Sequence, residues 1–175
     1  MSERLTQRVD PFRLAEQGRQ LRGSVAITGL RRLVPLLRSC VGAVEVELGF
    51  GIDAERVSFM QGRIVGELDI TCQRCLGSMT LSVDFEFLLG MVRSEAEGDR
   101  LPSRYEPLLV ESALISLADV VEDELILALP IIARHADTES CMTPVPGSAA
   151  AGQGDDDVSA AKENPFAVLS KLKKE

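Results

Sequence analysis

Two cysteines three positions apart, Cys72 and Cys75, have the spacing in this chain that most directly suggests chemistry. Thiols at this spacing on a turn can share one metal ion or close one disulfide, and Arg74 between them would lower their pKa if it lies close. A redox-active pair of the thioredoxin kind requires a helix N-terminus directly after a strand. The residues after Cys75 continue in a strand pattern, which argues against redox catalysis.

A second pair of soft ligands follows later in the chain, formed by the only histidine, His135, and by Cys141. With Cys72 and Cys75 they make a Cys3His set, which suits tetrahedral zinc and leaves no coordination position open. The predicted zinc is therefore structural. The two pairs are separated by 59 residues, more than is usual in zinc ribbons. The alternative is two ordinary cysteines in a turn, a surface histidine and a loop cysteine.

Signals for an enzyme are weak. The sequence contains no glycine-rich phosphate loop and no Gly-x-Ser-x-Gly elbow. A nucleophilic pair of Cys72 or Cys75 with His135 stays open, but no motif indicates an oxyanion hole or a substrate pocket. We therefore predict a protein without catalytic residues.

The cysteine pair lies between two runs that alternate apolar and polar residues, at 57–70 and 79–90, so it is predicted to form the tip of a hairpin. Similar runs at 20–28 and 43–53 predict two more strands. A brief edge strand near Tyr105–Val110 would contain Pro107. The pattern predicts an α+β fold with a mainly antiparallel, curled sheet of about four to five strands, a few short helices and a flexible C-terminal tail.

Helix signals flank these strands. Asp10 and Pro11 favour a short helix that ends at Gly18. Residues 30–38 predict a short helix or two turns with an arginine-rich face, and Ser116 caps a longer helix that ends near Leu129. The acidic triplet 122–124 in this last helix is predicted to be a solvated face, although it could contact the N-terminal arginines or a basic partner protein.

The domain organisation follows from composition. Residues 1–142 are predicted to form a single globular α+β domain, and 143–163, rich in Pro, Gly, Ala and Asp, a disordered linker. Residues 164–175 predict a short amphipathic helix, with Asn164 as cap, Pro165 at the first position and Phe166 on the apolar side. Such a tail would dock on its own domain or bind a partner.

Charge is distributed unevenly. The net charge is −8, yet residues 1–40 carry eight Arg against three acidic residues. Such a block is suited to bidentate phosphate contacts, although it could instead pair with the acidic remainder of the chain. Charged first residues, and the lack of an apolar run long enough for a membrane span, predict a cytoplasmic protein without membrane contact.

Three blocks resemble the YceD family of large ribosomal RNA subunit accumulation proteins. They are Cys72-Gln-Arg-Cys-Leu76, then Val121-Glu-Asp-Glu-Leu-Ile-Leu-Ala-Leu-Pro130 with His135 and Cys141 following, and Asn164-Pro-Phe-Ala-Val-Leu-Ser-Lys-Leu172. The blocks occur in this order across nearly the whole chain. The resemblance implies a non-enzymatic factor for the synthesis, processing or accumulation of 23S ribosomal RNA in ribosome biogenesis, and it supplies no catalytic residues.

The resemblance gives the arginines a candidate partner, ribosomal RNA or a pre-ribosomal particle. Aromatic residues make up only 4% of the chain, so contacts with phosphates and folded RNA shape are expected in preference to base stacking. The alternative is an acidic protein-interaction module that chaperones a basic ribosomal protein. The predicted RNA-binding residues are Arg22, Arg31, Arg32, Arg38 and Arg74.

Overall fold

The central element is a six-stranded sheet with the order β1-β3-β4-β5-β6-β7. The computed structural model describes residues 3–4, 8–136 and 141. Neighbouring strands are antiparallel except for the pairs β1–β3 and β6–β7, which are parallel. The strands are β1 (Glu3–Arg4), β3 (Gln20–Ala26), β4 (Ala43–Ile52), β5 (Ser58–Thr71), β6 (Ser78–Val92) and β7 (Glu106–Leu109).

A second, two-stranded sheet pairs β2 (Arg8–Val9) with β8 (Ile115–Ser116) in antiparallel orientation. The helices are α1 (Pro11–Glu16), α2 (Glu95–Gly98) and α3 (Leu117–Ala128). The α+β class, the mainly antiparallel sheet and the few short helices are therefore confirmed. The four long strands correspond to the predicted ones, and the additional strands among the described residues are short.

Alternation along β4 places one face of the sheet in the core. Val44, Val46, Leu48 and Phe50 are all buried, and the glutamates between them point to the opposite face. The sequence extends this pattern to Ile52, but Ile52 lies at the end of the strand and remains 47% exposed. The pattern therefore predicts burial correctly only where a second layer covers the strand.

Helix α1 begins and ends as its sequence predicts. The Asp10 carboxylate accepts a hydrogen bond from the Arg13 backbone N–H, and Pro11 occupies the first position, where its missing N–H costs nothing. Gly18 has a φ of 59°, and the N–H groups of Gly18 and Arg19 donate to Ala15 and Leu14. This Schellman arrangement satisfies the last carbonyls of the helix.

Helix α3 is the longest helix among the described residues and covers the buried face of the sheet. Its cap is Ser116, whose side chain accepts from the Asp119 backbone N–H, and it ends at Ala128 ahead of Pro130. Leu117, Val121 and Leu125 are almost fully buried in the same hydrophobic cluster as the sheet residues. Because the chain leaves α3 beside the β5–β6 hairpin, residues after 129 can reach the turn at its tip.

Residues 27–36 form two short 3-10 turns, Ile27–Gly29 and Val34–Leu36, rather than a continuous helix. Pro35 cannot donate a helical hydrogen bond, which explains the interruption. Leu30 and Leu33 are buried, whereas Leu36 is 52% exposed. Within the predicted range 30–38, turn residues 31–33 and the 3-10 turn Val34–Leu36 replace a continuous helix, in agreement with the alternative of two turns. The turn Ile27–Gly29 instead shortens the strand predicted at 20–28.

The predicted domain limits stay a prediction, because residues 142–175 lie outside the described part of the chain. Among the residues that are described, no helix is both long and apolar enough to cross a membrane.

Candidate metal centre and nucleic-acid interface

The cysteine turn (residues 72–77) connects β5 to β6. The Cys72 N–H donates to the Gly77 carbonyl over 2.9 Å, and the Leu76 N–H donates to the Cys72 carbonyl over 2.8 Å. Leu76 has a φ of 58°, a left-handed conformation that L-residues rarely adopt. Tight hydrogen bonding therefore holds Cys72 and Cys75 together on one turn.

Backbone hydrogen bonds attach the segment after α3 to this turn. The Gln73 N–H donates to the Ala133 carbonyl over 2.8 Å, and its side-chain amide donates to the Ile131 carbonyl over 3.3 Å. The Arg74 guanidinium donates to the His135 carbonyl over 3.3 Å. These contacts bring the second predicted ligand pair to the first.

The four predicted metal ligands converge. The three sulfur atoms and one imidazole nitrogen of Cys72, Cys75, His135 and Cys141 all lie within 4.8 Å of one another. The His135 Nδ1 atom is 3.7 Å from the Cys75 sulfur and 3.4 Å from the Cys141 sulfur. In a tetrahedral zinc site the sulfurs are about 3.8 Å apart, so only a small contraction around an ion would be needed.

The orientation of the His135 ring is set by a hydrogen bond to the Ser78 carbonyl. Its Nε2 atom lies 3.2 Å from the Ser78 carbonyl oxygen, which can only accept, so Nε2 carries the proton. In the neutral imidazole, Nδ1 then presents its lone pair to the thiols. Protein ligands to zinc are usually oriented in this way by a hydrogen bond on the opposite nitrogen.

The thiols have unequal affinities for protons. Burial raises the pKa of Cys72, but hydrogen bonds from the backbone N–H groups of Cys75, His135 and Arg74 outweigh it and lower the pKa to about 5. Burial, together with the neighbouring Cys72 and Cys75 thiols, raises the pKa of Cys141 to about 11. The environment therefore favours the thiolate of Cys72 and the neutral thiol of Cys141, and a divalent cation would balance the negative charge if all three cysteines were deprotonated.

This group of four side chains could hold one metal ion with protein ligands alone. All four cysteines are free thiols, and the fourth, Cys40, is half-buried against the hydrophobic core instead of joining the cluster. The turn does not open a helix, which agrees with the argument against thioredoxin-like chemistry. With four protein ligands, no position would remain for a substrate or a reactive water.

Two of the predicted RNA-binding arginines flank this cluster. Arg38 is exposed, and its guanidinium donates to the Leu76 carbonyl over 3.1 Å, while its backbone N–H donates to the Asp69 carbonyl. Arg74 is half-buried within the turn itself. Both guanidinium groups are therefore held next to the candidate metal site by main-chain carbonyls, and Arg38 makes no ion pair with any described residue.

The other arginines occupy different surroundings. Arg22 lies on the outer face of the sheet, opposite Glu47 in the strand register, with 3.4 Å between guanidinium and carboxylate. Arg31 is exposed beside the first 3-10 turn. The predicted RNA-binding set is thus not one contiguous block, and RNA contact by each member stays a prediction.

Arg32 takes part in an ion-pair network with α3. Its Nε donates to Glu122 over 2.9 Å, one terminal nitrogen donates to Asp123 over 2.5 Å, and the other donates to the Asp119 carbonyl over 3.1 Å. Glu122 is buried and also accepts from the backbone N–H groups of Arg32 and Leu33. The predicted solvated acidic face is therefore wrong, and the alternative contact with an N-terminal arginine is confirmed.

The position of Glu122 contains a signal that the sequence analysis missed. Glu122 is four residues after Ala118 and three before Leu125, so it lies on the edge of the apolar stripe of α3. A carboxylate at such a position is buried only with a partner. In this chain that partner is Arg32, which lies between the two 3-10 turns.

The sequence of this chain is similar to those of known proteins. Residues 60–173 match the family described as "Large ribosomal RNA subunit accumulation protein YceD". A protein of Haemophilus influenzae with that same description is 33% identical over 166 residues, which cover 94% of this chain and 94% of the relative. No solved structure matches.

Proposed function

Because this chain belongs to the YceD family of large ribosomal RNA subunit accumulation proteins, we propose that it supports the synthesis, processing or accumulation of 23S ribosomal RNA during ribosome biogenesis. The observation that carries this proposal is the 33% identity that extends over 94% of both chains. An accumulation role for the relative is what its description states, and we extend that role to this chain.

We further propose that Cys72, Cys75, His135 and Cys141 bind one structural zinc ion. The support is the convergence of the four ligand atoms within 4.8 Å and the orientation of His135 by the Ser78 carbonyl. In this role the ion would fasten the cysteine turn to the segment that follows α3. The turn would then hold Arg74 in a fixed position, and it would also fix the Leu76 carbonyl that binds Arg38.

Ribosomal RNA, free or within a precursor particle, is the proposed partner of the arginines. Arg38 and Arg74 lie beside the proposed zinc site, and Arg31 is exposed on the preceding turns. Guanidinium groups bind phosphates in bidentate fashion, which positions a protein on RNA without reading its sequence. With so few aromatic side chains, we propose recognition of backbone and shape.

The proposed role is non-enzymatic. A Cys3His set uses every position of a tetrahedral ion, so the cluster provides no open position for Lewis-acid catalysis. Because 23S ribosomal RNA is assembled into particles in the cytoplasm of bacteria, we propose that the protein acts there.

Complementation tests the proposal directly. In a bacterium that lacks its own family member, expression of this protein should restore the ratio of 23S to 16S ribosomal RNA. The control variant is Glu45→Gln, which changes an exposed strand residue outside the proposed metal and RNA sites and should restore the ratio equally. Failure of the stably folded wild-type protein to raise the ratio would contradict the proposed role.

A further inference from the structure

Most of one edge of β6 is not paired with another strand in the described part of the chain. β5 pairs with β6 along Ser78 to Gly90, but on the opposite side β7 pairs only with Leu89–Val92. At the other end, His135 donates to the Ser78 carbonyl. Between these two contacts, residues 79–88 have no backbone hydrogen-bond partner on that side in the described part of the chain.

An open cleft of about 650 Å³ runs along this free edge, and we name it the edge cleft. Its floor consists of β6 residues from Leu81 to Phe85, and its walls come from α3 and from the start of β7. Five strand residues extend over about 17 Å, enough for a short extended peptide. The apolar residues that line it are Leu81, Val83, Phe85, Ala128 and the 73% exposed Leu127.

Two carboxylates that face the edge cleft have no partner among the described residues. Glu124 has a relative exposure of only 9%, and among the described residues it makes no hydrogen bond or ion pair. Burial raises the pKa of Glu124, and the negative charges of Glu106 and Asp123 raise it further. Glu106, at the start of β7, is also without an ion pair there, whereas Asp84 is already bound by Arg63.

Glu124 is largely covered by its neighbours, but its carboxylate oxygens still reach solvent, so a cation that enters the edge cleft can bind them directly. Such a cation would offset the cost of placing the charge in a mostly covered position. A strand edge with free N–H and C=O groups accepts an extended peptide, which gains main-chain hydrogen bonds along its length. A free cation alone would satisfy the carboxylates but not the edge. An acidic nucleic acid would be repelled by Glu106 and Glu124.

We propose that the edge cleft binds an extended, lysine- or arginine-bearing segment of a partner protein, which pairs with the free edge of β6 and places a side-chain cation against Glu124 and Glu106. This partner class agrees with the alternative prediction from the sequence, a module that binds a basic protein. The proposal depends neither on zinc nor on RNA binding.

Fluorescence anisotropy with a synthetic probe tests it. The probe is a labelled nine-residue peptide of alternating valine and lysine, blocked at both ends, added to the full-length protein. The double variant Glu106→Gln/Glu124→Gln should weaken binding at least tenfold. The matched variant Glu45→Gln/Glu67→Gln loses the same charge from exposed strand positions and should bind within twofold of the wild type.

Two further measurements separate the alternatives. A probe with N-methylated backbone nitrogens, which cannot pair with a strand, should not bind, and NMR shifts caused by the unmodified probe should concentrate in residues 79–88 of the wild-type protein. Equal loss of binding in both double variants, or tight binding of the methylated probe, would overturn the proposal. The proposal would also be overturned if spermidine displaced the probe effectively. A protein dimer, detected by analytical ultracentrifugation, that prevents the probe from binding would overturn it as well.

Discussion

Arg32 and Glu122, which are 90 positions apart in the sequence, are joined by two hydrogen bonds to one carboxylate. The Arg32 backbone N–H donates to Oε1 over 2.6 Å and its Nε donates to Oε2 over 2.9 Å. The Glu122 side chain is only 6% exposed, while that of Arg32 is 52% exposed. This pair connects the segment of 3-10 turns to α3. It also means that the charge of Arg32, a predicted RNA-binding residue, is paired within the protein.

Arg32→Ala should destabilise the fold, because it leaves the Oε2 atom of the buried Glu122 carboxylate without its donor, Arg32 Nε. We expect a loss of about 1–3 kcal/mol in the free energy of unfolding, measured by urea denaturation. Arg31→Ala, which changes an exposed neighbour, should shift stability by less than about 0.5 kcal/mol. Equal stability of the two variants would show that the ion pair adds nothing.

The contribution of Glu122 should depend on pH. Burial raises its pKa, but hydrogen bonds from Leu33 and Arg32 outweigh burial, and the pKa lies below its usual value of 4.5. A group with a lowered pKa stabilises the fold above its unfolded pKa, and this stabilisation is lost as the pH falls through its folded pKa. The stability gap between wild type and Glu122→Gln should therefore narrow below about pH 4.5. Denaturation at several pH values measures the gap, and a gap that widens on acidification would contradict the assignment.

RNA affinity should depend on the arginines that make no ion pair among the described residues. Arg31→Ala and Arg38→Ala should each weaken binding to large-subunit RNA fragments in gel shifts. Each lost phosphate contact should flatten the slope of log K against log salt by about 0.7–0.9. Arg63→Ala is the matched control, since Arg63 is bound to Asp84 through two hydrogen bonds and loses the same charge. If all three variants behave alike, the arginines act only through net charge.

The tail at 164–175 lies outside the described residues, and its predicted amphipathic helix stays a prediction. Its deletion should leave the thermal midpoint of the remaining chain nearly unchanged while it weakens association with the large-subunit precursor. Burial of its apolar side chains would contribute at most about 1.5–3 kcal/mol each before ordering costs, which suits a reversible contact. A large fall in the midpoint, with association intact, would instead make the tail part of the fold.

Local patterns in the sequence predicted the strands, caps and turn well. The alternation of Val44 and Val46 and the cap at Ser116 depend on neighbouring residues, so they can be read from short windows. The convergence of His135 with Cys75 was also predicted, because soft ligands are few in this chain.

The parts that were missed depend on which element covers which. Glu124 is mostly covered and lines the edge cleft because of the way α3 lies across the sheet. The spacing of apolar residues along α3 does not predict that placement. The free edge of β6 results from the shortness of β7, and strand order is not visible in the sequence pattern. The sequence predicts that Arg32 binds RNA, whereas in the structure it pairs with Glu122 and Asp123. The charge of an arginine does not show whether its partner lies within the protein or outside it.

The most direct test of the proposed zinc site at the cysteine turn is the metal content of freshly purified, untagged protein. It is measured by mass spectrometry under non-denaturing conditions. We predict one zinc ion per chain in the wild type and in Cys40→Ser, which changes the cysteine outside the cluster. Cys75→Ser and Cys141→Ser should lose most of the metal. A metal-free wild-type protein that keeps its fold, or metal retained equally in all three variants, would contradict the account.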